Sequence, residues 1–247
     1  RLSETSLGSK VVVVGLGVIG QLVCRLAEAQ GSEVIGIDPD PERSKYRDNF
    51  FTSADDVELK DVDSVIITAA TSSNEPIELA TKIARNKAKI VVIGDIPLNI
   101  SRNDFYYKEL ELVVSKSYGP GRYDKQYEAL GNDYPIEYVR WTENRNFEAF
   151  TKLLSQKQIH LLDLVSEEIA FEDAPSVYEK FENESKPLSV VLRYNIDAEP
   201  KIEIENDLQP EPKTSKVNVG ILGAGNFAAT TIMPVIKELK RECKVLG

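Results

Sequence analysis

The hexapeptide Gly15-Leu16-Gly17-Val18-Ile19-Gly20 limits what this chain can fold into more than any other feature, because of what flanks it. Before it runs Val11 to Val14, a continuous β-branched stretch of the kind buried on both faces of a parallel sheet. After it, Val18, Ile19, Leu22, Val23, Leu26 and Ala27 recur at spacings of three and four, an apolar helix face that can end at Gly31. In such a strand, turn and helix the first glycine permits the tight turn. The second lets the backbone approach a pyrophosphate, and the third lets helix and strand pack closely. The helix N-terminus offers unpaired N–H groups and a positive dipole end to the phosphates. Gly15, Gly17, Val18, Ile19 and Gly20 therefore form the expected phosphate-binding turn of a dinucleotide site.

Asp38 closes a second expected strand, Val34 to Ile37. At that spacing a carboxylate accepts the ribose hydroxyls of NAD and repels the extra phosphate of NADP, so NAD is the expected cofactor. Two plainer roles stay open: Asp38 can cap the Pro39-Asp40-Pro41-Glu42 turn, and Arg43 is either a residue over the adenosine side of the cofactor or a solvated arginine at a helix start. A methyltransferase also uses a glycine loop and an acid, but such loops usually lack the third glycine at this spacing.

Further apolar runs at Val65–Ile67 and Ile90–Ile93, with a helical stretch from about Pro76 to Asn86 between them, predict a doubly wound α/β sheet of Rossmann type over residues 1–117. Leu98–Ser101 and Leu110–Ser115 read as further strands. Tyr118 to Trp141, rich in tyrosine, glycine and proline, suits a long ordered loop. There Tyr118, Arg122 and Tyr123 either border the nicotinamide or serve packing and interfaces. A helix at about Phe147–Ser155, a strand near Leu161–Val165, a helix at about Ala174–Phe181 and a strand Ser189–Tyr194 complete a returning segment, 118–194. Residues 195–216, acidic and proline-containing, read as a linker. Beyond it Val217–Leu222, Gly223-Ala224-Gly225-Asn226-Phe227-Ala228 and a helical run Phe227–Leu239 repeat the opening pattern. Gly223, Gly225 and Ala228 thus mark a truncated second dinucleotide unit over 217–247, a strand and a helix with no sheet of their own to join.

Composition narrows the partners. A net charge of −10, with basic residues scattered, opposes binding to nucleic acid. No apolar run approaches the roughly 20 residues needed to span a bilayer, and no signal peptide is evident. Two cysteines, Cys24 and Cys243, suit a reducing cytoplasm and give no disulfide framework. His160 is the single histidine, so neither a catalytic triad nor a histidine-based zinc site can be assembled; no catalytic or metal-ligating residue is assigned. The sequence reads as cut at both ends, because residue 1 is Arg and Gly247 falls just after an apolar run that suits a new strand.

From Val11 to Tyr194 the chain resembles the medium-chain, zinc-type alcohol dehydrogenase-like family, entered at its cofactor domain. The resemblance rests on Gly15, Gly17, Gly20, Asp38, the order of elements, the stretch Phe171-Glu172-Asp173-Ala174-Pro175 and the closing strand Val190-Val191-Leu192-Arg193-Tyr194. Val219 to Ala228 resembles the start of the Gfo/Idh/MocA sugar and polyol dehydrogenase family. Together, and with Ser117 to Asp124 and Tyr138 to Glu143, they resemble the bi-domain oxidoreductases of bacterial carbohydrate gene clusters. The resemblance implies an NAD-dependent oxidoreductase acting on a hydroxyl or carbonyl of a small sugar-like or alcohol substrate, as a homodimer paired across the edge at Leu98–Ser101. The rival reading is a nicotinamide-responsive binding or regulatory module without turnover. Two departures stand out: the interval from Asp38 to Val65 is too short for a full helix and strand, and no zinc-bearing domain precedes residue 1. The piece alone is therefore expected to hold cofactor without holding the chemistry.

Overall fold

The computed structural model describes residues 1–56, 58–183, 187–195, 216–223, 225, 227–239 and 242–246. They fall into two compact units, Arg1–Ile196 and Asp197–Gly247.

The first unit begins with β1 (Lys10–Val14), α1 (Val18–Ala29) and β2 (Glu33–Ile37). A 3₁₀ turn at Pro41–Tyr46 and the two-residue β3 (Phe50–Phe51) stand in the short interval after Asp38, where no full helix fits. Then come β4 (Val62–Ile67), α2 (Glu75–Ile83), β5 (Ala84–Val92), α3 (Arg102–Lys108) and β6 (Glu111–Val114). The strands form one six-stranded sheet in the order β3-β2-β1-β4-β5-β6, and each neighbouring pair is parallel. This is the doubly wound Rossmann-type order, whose direction reverses between β1 and β4.

Alternation along buried strands sends successive residues to opposite faces, so each strand feeds two cores. Val12, Val14, Ile35, Ile37, Val65 and Ile67 pack with Ile77, Ala80 and Ile83 of α2. Val11, Val13, Val34, Ile66 and Val91 pack on the other face with Cys24 and Ala27 of α1, and Leu2 adds to that side. Burial on both faces is why these strands read as unbroken apolar runs.

Several expected elements differ. The helix expected to about Asn86 stops at Ile83, where the Lys108 ammonium donates to the carbonyls of Thr81 (2.7 Å), Lys82 (3.0 Å) and Ala84 (2.8 Å). Strand β5 starts at once, and its polar residues Arg85 to Lys87 occupy a register shift against β4 between Val62 and Ser64. Leu98–Ser101 is not a strand. The peptide N–H of Asn99 is held by the Asn74 side chain, and the segment serves as the crossover into α3. The outer strands are β3 and β6, so residues 98–101, the edge expected to pair in a homodimer, are not an edge strand of this sheet.

The return segment carries α4 (Lys125–Glu128), α5 (Glu143–Ser155), β7 (Glu167–Ala170), α6 (Ala174–Asn183) and β8 (Val190–Arg193), with β7 and β8 parallel. The strand expected at Leu161–Val165 is instead a 3₁₀ turn, Leu162–Leu164. Its backbone is bent by Arg25 of α1, which donates to the His160 carbonyl and grips the Asp163 carboxylate at 2.7 and 2.5 Å. The extended strand begins only at Glu167.

The second unit holds β9 (Val217–Gly220), a π turn Ala228–Ile232, α7 (Met233–Glu238) and β10 (Cys243–Leu246). Instead of one continuous helix from Phe227, the segment widens just before Pro234, which has no N–H to give to the preceding turn. β10 pairs in parallel with β9, Cys243 opposite Val217, so this strand and helix do join a sheet. Residues 196–215, most of the expected linker, lie outside the described residues, as do Ala224 and Asn226. Among the described residues no helix is long and apolar enough to cross a membrane.

Two outcomes follow from these ties. Lys108→Met leaves three carbonyls at the end of α2 without their cationic donor and should cost about 2 kcal/mol, read from urea unfolding. The Arg25 hydrogen bond holds the Asp163 carboxyl below its ordinary range. The tie therefore adds stability at neutral pH and loses it as pH falls through that lowered value. Limited proteolysis should show residues 156–166 opening in acid, and Asp163→Asn should open them at neutral pH as well.

Candidate dinucleotide site

The site is assembled where β1, β4 and β5 end. Gly15 has φ +93° and donates its N–H to the Ile37 carbonyl at 2.8 Å, which ties the turn to β2. A Cβ there would stand 2.5 Å from the Ala69 nitrogen. Gly20 lies inside the first turn of α1, and a Cβ on it would fall 1.9 Å from the Gly15 carbonyl oxygen. The hydroxyl of Thr68 donates to that same carbonyl. At the end of β5, a Cβ on Gly94 would fall 1.9 Å from the Ala69 carbonyl oxygen. Three strand-end turns thus touch backbone to backbone. The sequence reading leaves out Thr68, Ala69 and Gly94; the available signal is the run of small residues from Thr68 to Ser73 after β4 and the single glycine, Gly94, just past β5.

Gly17 is different. It is the N-cap of α1 with extended backbone (φ −65°, ψ −172°), and a Cβ there would meet nothing within 4 Å. The helix begins without a capping side chain and without an acid in its first turn. Val18 is half-buried, and Ile19 is exposed at the mouth of the turn. The first-turn amides and the positive helix end therefore face open space beside Gly17, the arrangement a pyrophosphate requires.

Asp38 is half-buried beside this turn. One carboxylate oxygen accepts the Leu16 N–H at 2.6 Å and the other the Asp40 N–H at 2.9 Å. The turn-capping role and the role beside the glycine loop are thus held by one residue, and each oxygen keeps a second lone pair for a hydroxyl. Arg43 pairs with Asp40 at 3.1 Å and reaches Asp38 only through it.

In the second unit Gly223 has φ +78°, the space beside Gly223 and Gly225 is open, and Ala228 is buried. His160 is exposed, and burial pushes the Cys24 thiol up to about 12, so it remains a thiol at neutral pH. Among the described residues no three His, Cys, Asp or Glu side chains are grouped so as to hold a metal.

Residues 2–104 match the family described as D-isomer specific 2-hydroxyacid dehydrogenase, NAD binding domain. Residues 2–104 carry an NAD(P)-binding domain of the dehydrogenase type. The chain is 27% identical over 154 residues to 2-dehydro-3-deoxy-L-galactonate 5-dehydrogenase of Pseudoalteromonas atlantica (strain T6c / ATCC BAA-1087), covering 56% of this chain and 42% of that protein. Among solved structures it is similar to galactitol-1-phosphate dehydrogenase from Escherichia coli, with TM-score 0.59, 20% identity, and coverage of 77% of this chain and 55% of that one. It is also similar to the alcohol dehydrogenase TADH from Thermus sp. ATN1, with TM-score 0.58, 18% identity, and coverage of 78% and 54%. The chain spans about half the length of these structures and less of the curated relative. At such identities the structural likeness speaks for the fold.

The glycines separate folding from binding. Gly20→Ala should destabilise the sheet domain, because its methyl has no space. Gly17→Val should melt within a few degrees of the parent yet lose NADH binding, since its side chain enters only the open space. Melting curves and NADH titration of the two variants check this pair.

Proposed function

We propose that the chain is the cofactor-holding part of an NAD-dependent oxidoreductase that moves hydride between a nicotinamide nucleotide and a hydroxyl or carbonyl of a sugar-like or alcohol substrate. The observation that carries this reading is the open cradle at Gly17 beside the Asp38 carboxylate, both held by the same Leu16 segment. The named dehydrogenase relatives support it. When bound, the nicotinamide ring supplies the hydride acceptor or donor.

The chain's own residues then have separate tasks. First-turn amides of α1 hold the pyrophosphate, and the absence of a side chain at Gly17 leaves room for it. Asp38 accepts hydrogen bonds from the adenosine ribose and sets a negative charge where NADP would bring a phosphate, which favours NAD. The ends of β4, β5 and β6 lie on the other side of the reversal between β1 and β4, where the nicotinamide half would run. We further read residues 217–247 as the opening of a second dinucleotide unit of the Gfo/Idh/MocA kind. The support is a parallel β9–helix–β10 unit with left-handed Gly223 at its first turn.

Asp38→Ala should weaken NADH by about ten- to a hundredfold, from the loss of charge-assisted hydrogen bonds of about 1.5–3 kcal/mol. NADPH should be affected less, because the variant also loses a repulsion. Fluorescence titration with both nucleotides measures the change; equal affinities in parent and variant would remove Asp38 from the site. A polyol and sugar screen followed through NADH absorbance tests turnover.

A further inference from the structure

The segment that leaves β6 has a structure the cofactor reading does not use. Strand β6 ends at Val114 opposite Val92 of β5, so Ser115 to Tyr123 begin at the C-terminal edge of the sheet, on the β6 side of Thr68 and Gly94. The chain carries a net charge of −10, yet two cations meet one ring here. The Lys116 ammonium stands 5.2 Å from the centre of the Tyr123 ring, and the Arg122 guanidinium stands 4.5 Å from it and 5.3 Å from that of Tyr118.

The two cations differ in what remains open to them. Arg122 is neutralised by Glu128 at 2.6 Å and packed between two tyrosines. Lys116 is exposed and has no carboxylate partner among the described residues. The nearby acids are otherwise engaged or set apart. Asp124 accepts the Tyr134 hydroxyl and the Gln126 N–H. Glu143 has one carboxylate oxygen buried, and its N–H is fixed on the Pro120 carbonyl at 2.7 Å.

The turn that presents Lys116 is stiff. Ser117, Gly119, Gly121 and Tyr123 all have positive φ (31°, 101°, 107° and 67°), and such backbone in the non-glycine residues Ser117 and Tyr123 persists only where the surroundings enforce it. Gly121 is buried against the Tyr127 ring, which a Cβ would meet at 2.6 Å. The backbone on either side of Lys116 and Tyr123 is therefore set, and it brings the Lys116 ammonium to 5.2 Å from the exposed Tyr123 ring.

We propose that Lys116 and Tyr123 form an anion-recognising substrate subsite. The Lys116 ammonium takes the carboxylate or phosphate oxygens of an acidic sugar-like substrate, and the Tyr123 ring covers its carbon skeleton. Arg122, locked by Glu128, is a positioning residue for the two rings. This rests on the reading that the same sheet edge holds the nicotinamide nucleotide, since the subsite then lies toward the reacting end.

The test titrates the full chain, saturated with NADH, with D-gluconate, D-glucose 6-phosphate and neutral sorbitol at constant ionic strength, followed by calorimetry. At least one anion should bind about tenfold more tightly than sorbitol, and Lys116→Ala should remove that preference while Lys116→Arg keeps most of it. NADH affinity should be the same in both variants, and Lys152→Ala on α5 should change neither quantity. Preference for gluconate alone assigns a carboxylate subsite, and preference for the sugar phosphate alone assigns a phosphate subsite. Equal binding of anions and sorbitol, or an equal effect of Lys152→Ala, overturns the proposal and leaves the cofactor reading standing. If NADH does not bind but anion binding still depends on Lys116, the cofactor reading falls, the anion site stands, and its assignment to a substrate is overturned.

Discussion

Everything at the C-terminal edge of this sheet depends on α1 approaching the carbonyl of Gly15 more closely than any side chain would permit. The missing Cβ of Gly20 allows it, and the Thr68 hydroxyl then fastens the same carbonyl to the end of β4. Ala69 is in turn pressed by Gly94, so the ends of β1, β4 and β5 behave as one block. With that block in place the helix N-terminus points into open space at Gly17, and a charge-binding position exists before any ligand arrives. Without it, α1 would still pack on the sheet through Cys24 and Ala27, but its N-terminus would stand farther from the Gly15 carbonyl.

The parts of this arrangement that were legible in the residues are those whose cause is local. Glycine spacing after Val11–Val14, the apolar face of α1 and the acid after β2 each state a steric or electrostatic need within a few residues. The short interval after Asp38 likewise told of a missing crossover helix, and a 3₁₀ turn occupies it. What was not legible has causes far away in sequence. Lys108 decides where α2 ends, Arg25 decides that residues 162–164 turn instead of extending, and Asn74 holds Asn99 out of any strand. Apolar character alone suggested strands at 98–101 and 161–165, but a strand needs a neighbour, and neither segment has one in the sheets formed.

The candidate site divides in the same way. Gly15, Gly17 and Gly20 could be read with their individual tasks, whereas Thr68, Ala69 and Gly94 became visible only when the strand ends were brought together. Arg43 stays open between its two readings, over the adenosine or at a helix start: it sits in the 3₁₀ turn after the acid and pairs with Asp40. The tyrosines from 118 onward suggested either packing or a site, and the structure shows both cations and rings held by a left-handed backbone.

Asp38 joins two properties that are usually discussed apart. Because its carboxylate holds the amide of Leu16, the residue that would select the nucleotide also shapes the loop that receives it. Cofactor preference in this chain is therefore not a free-standing dial. An engineer who exchanges the acid to admit a phosphorylated ribose also removes one of the ties between the glycine loop and the end of β2, leaving the Gly15 amide on the Ile37 carbonyl, and must provide another acceptor for the Leu16 amide.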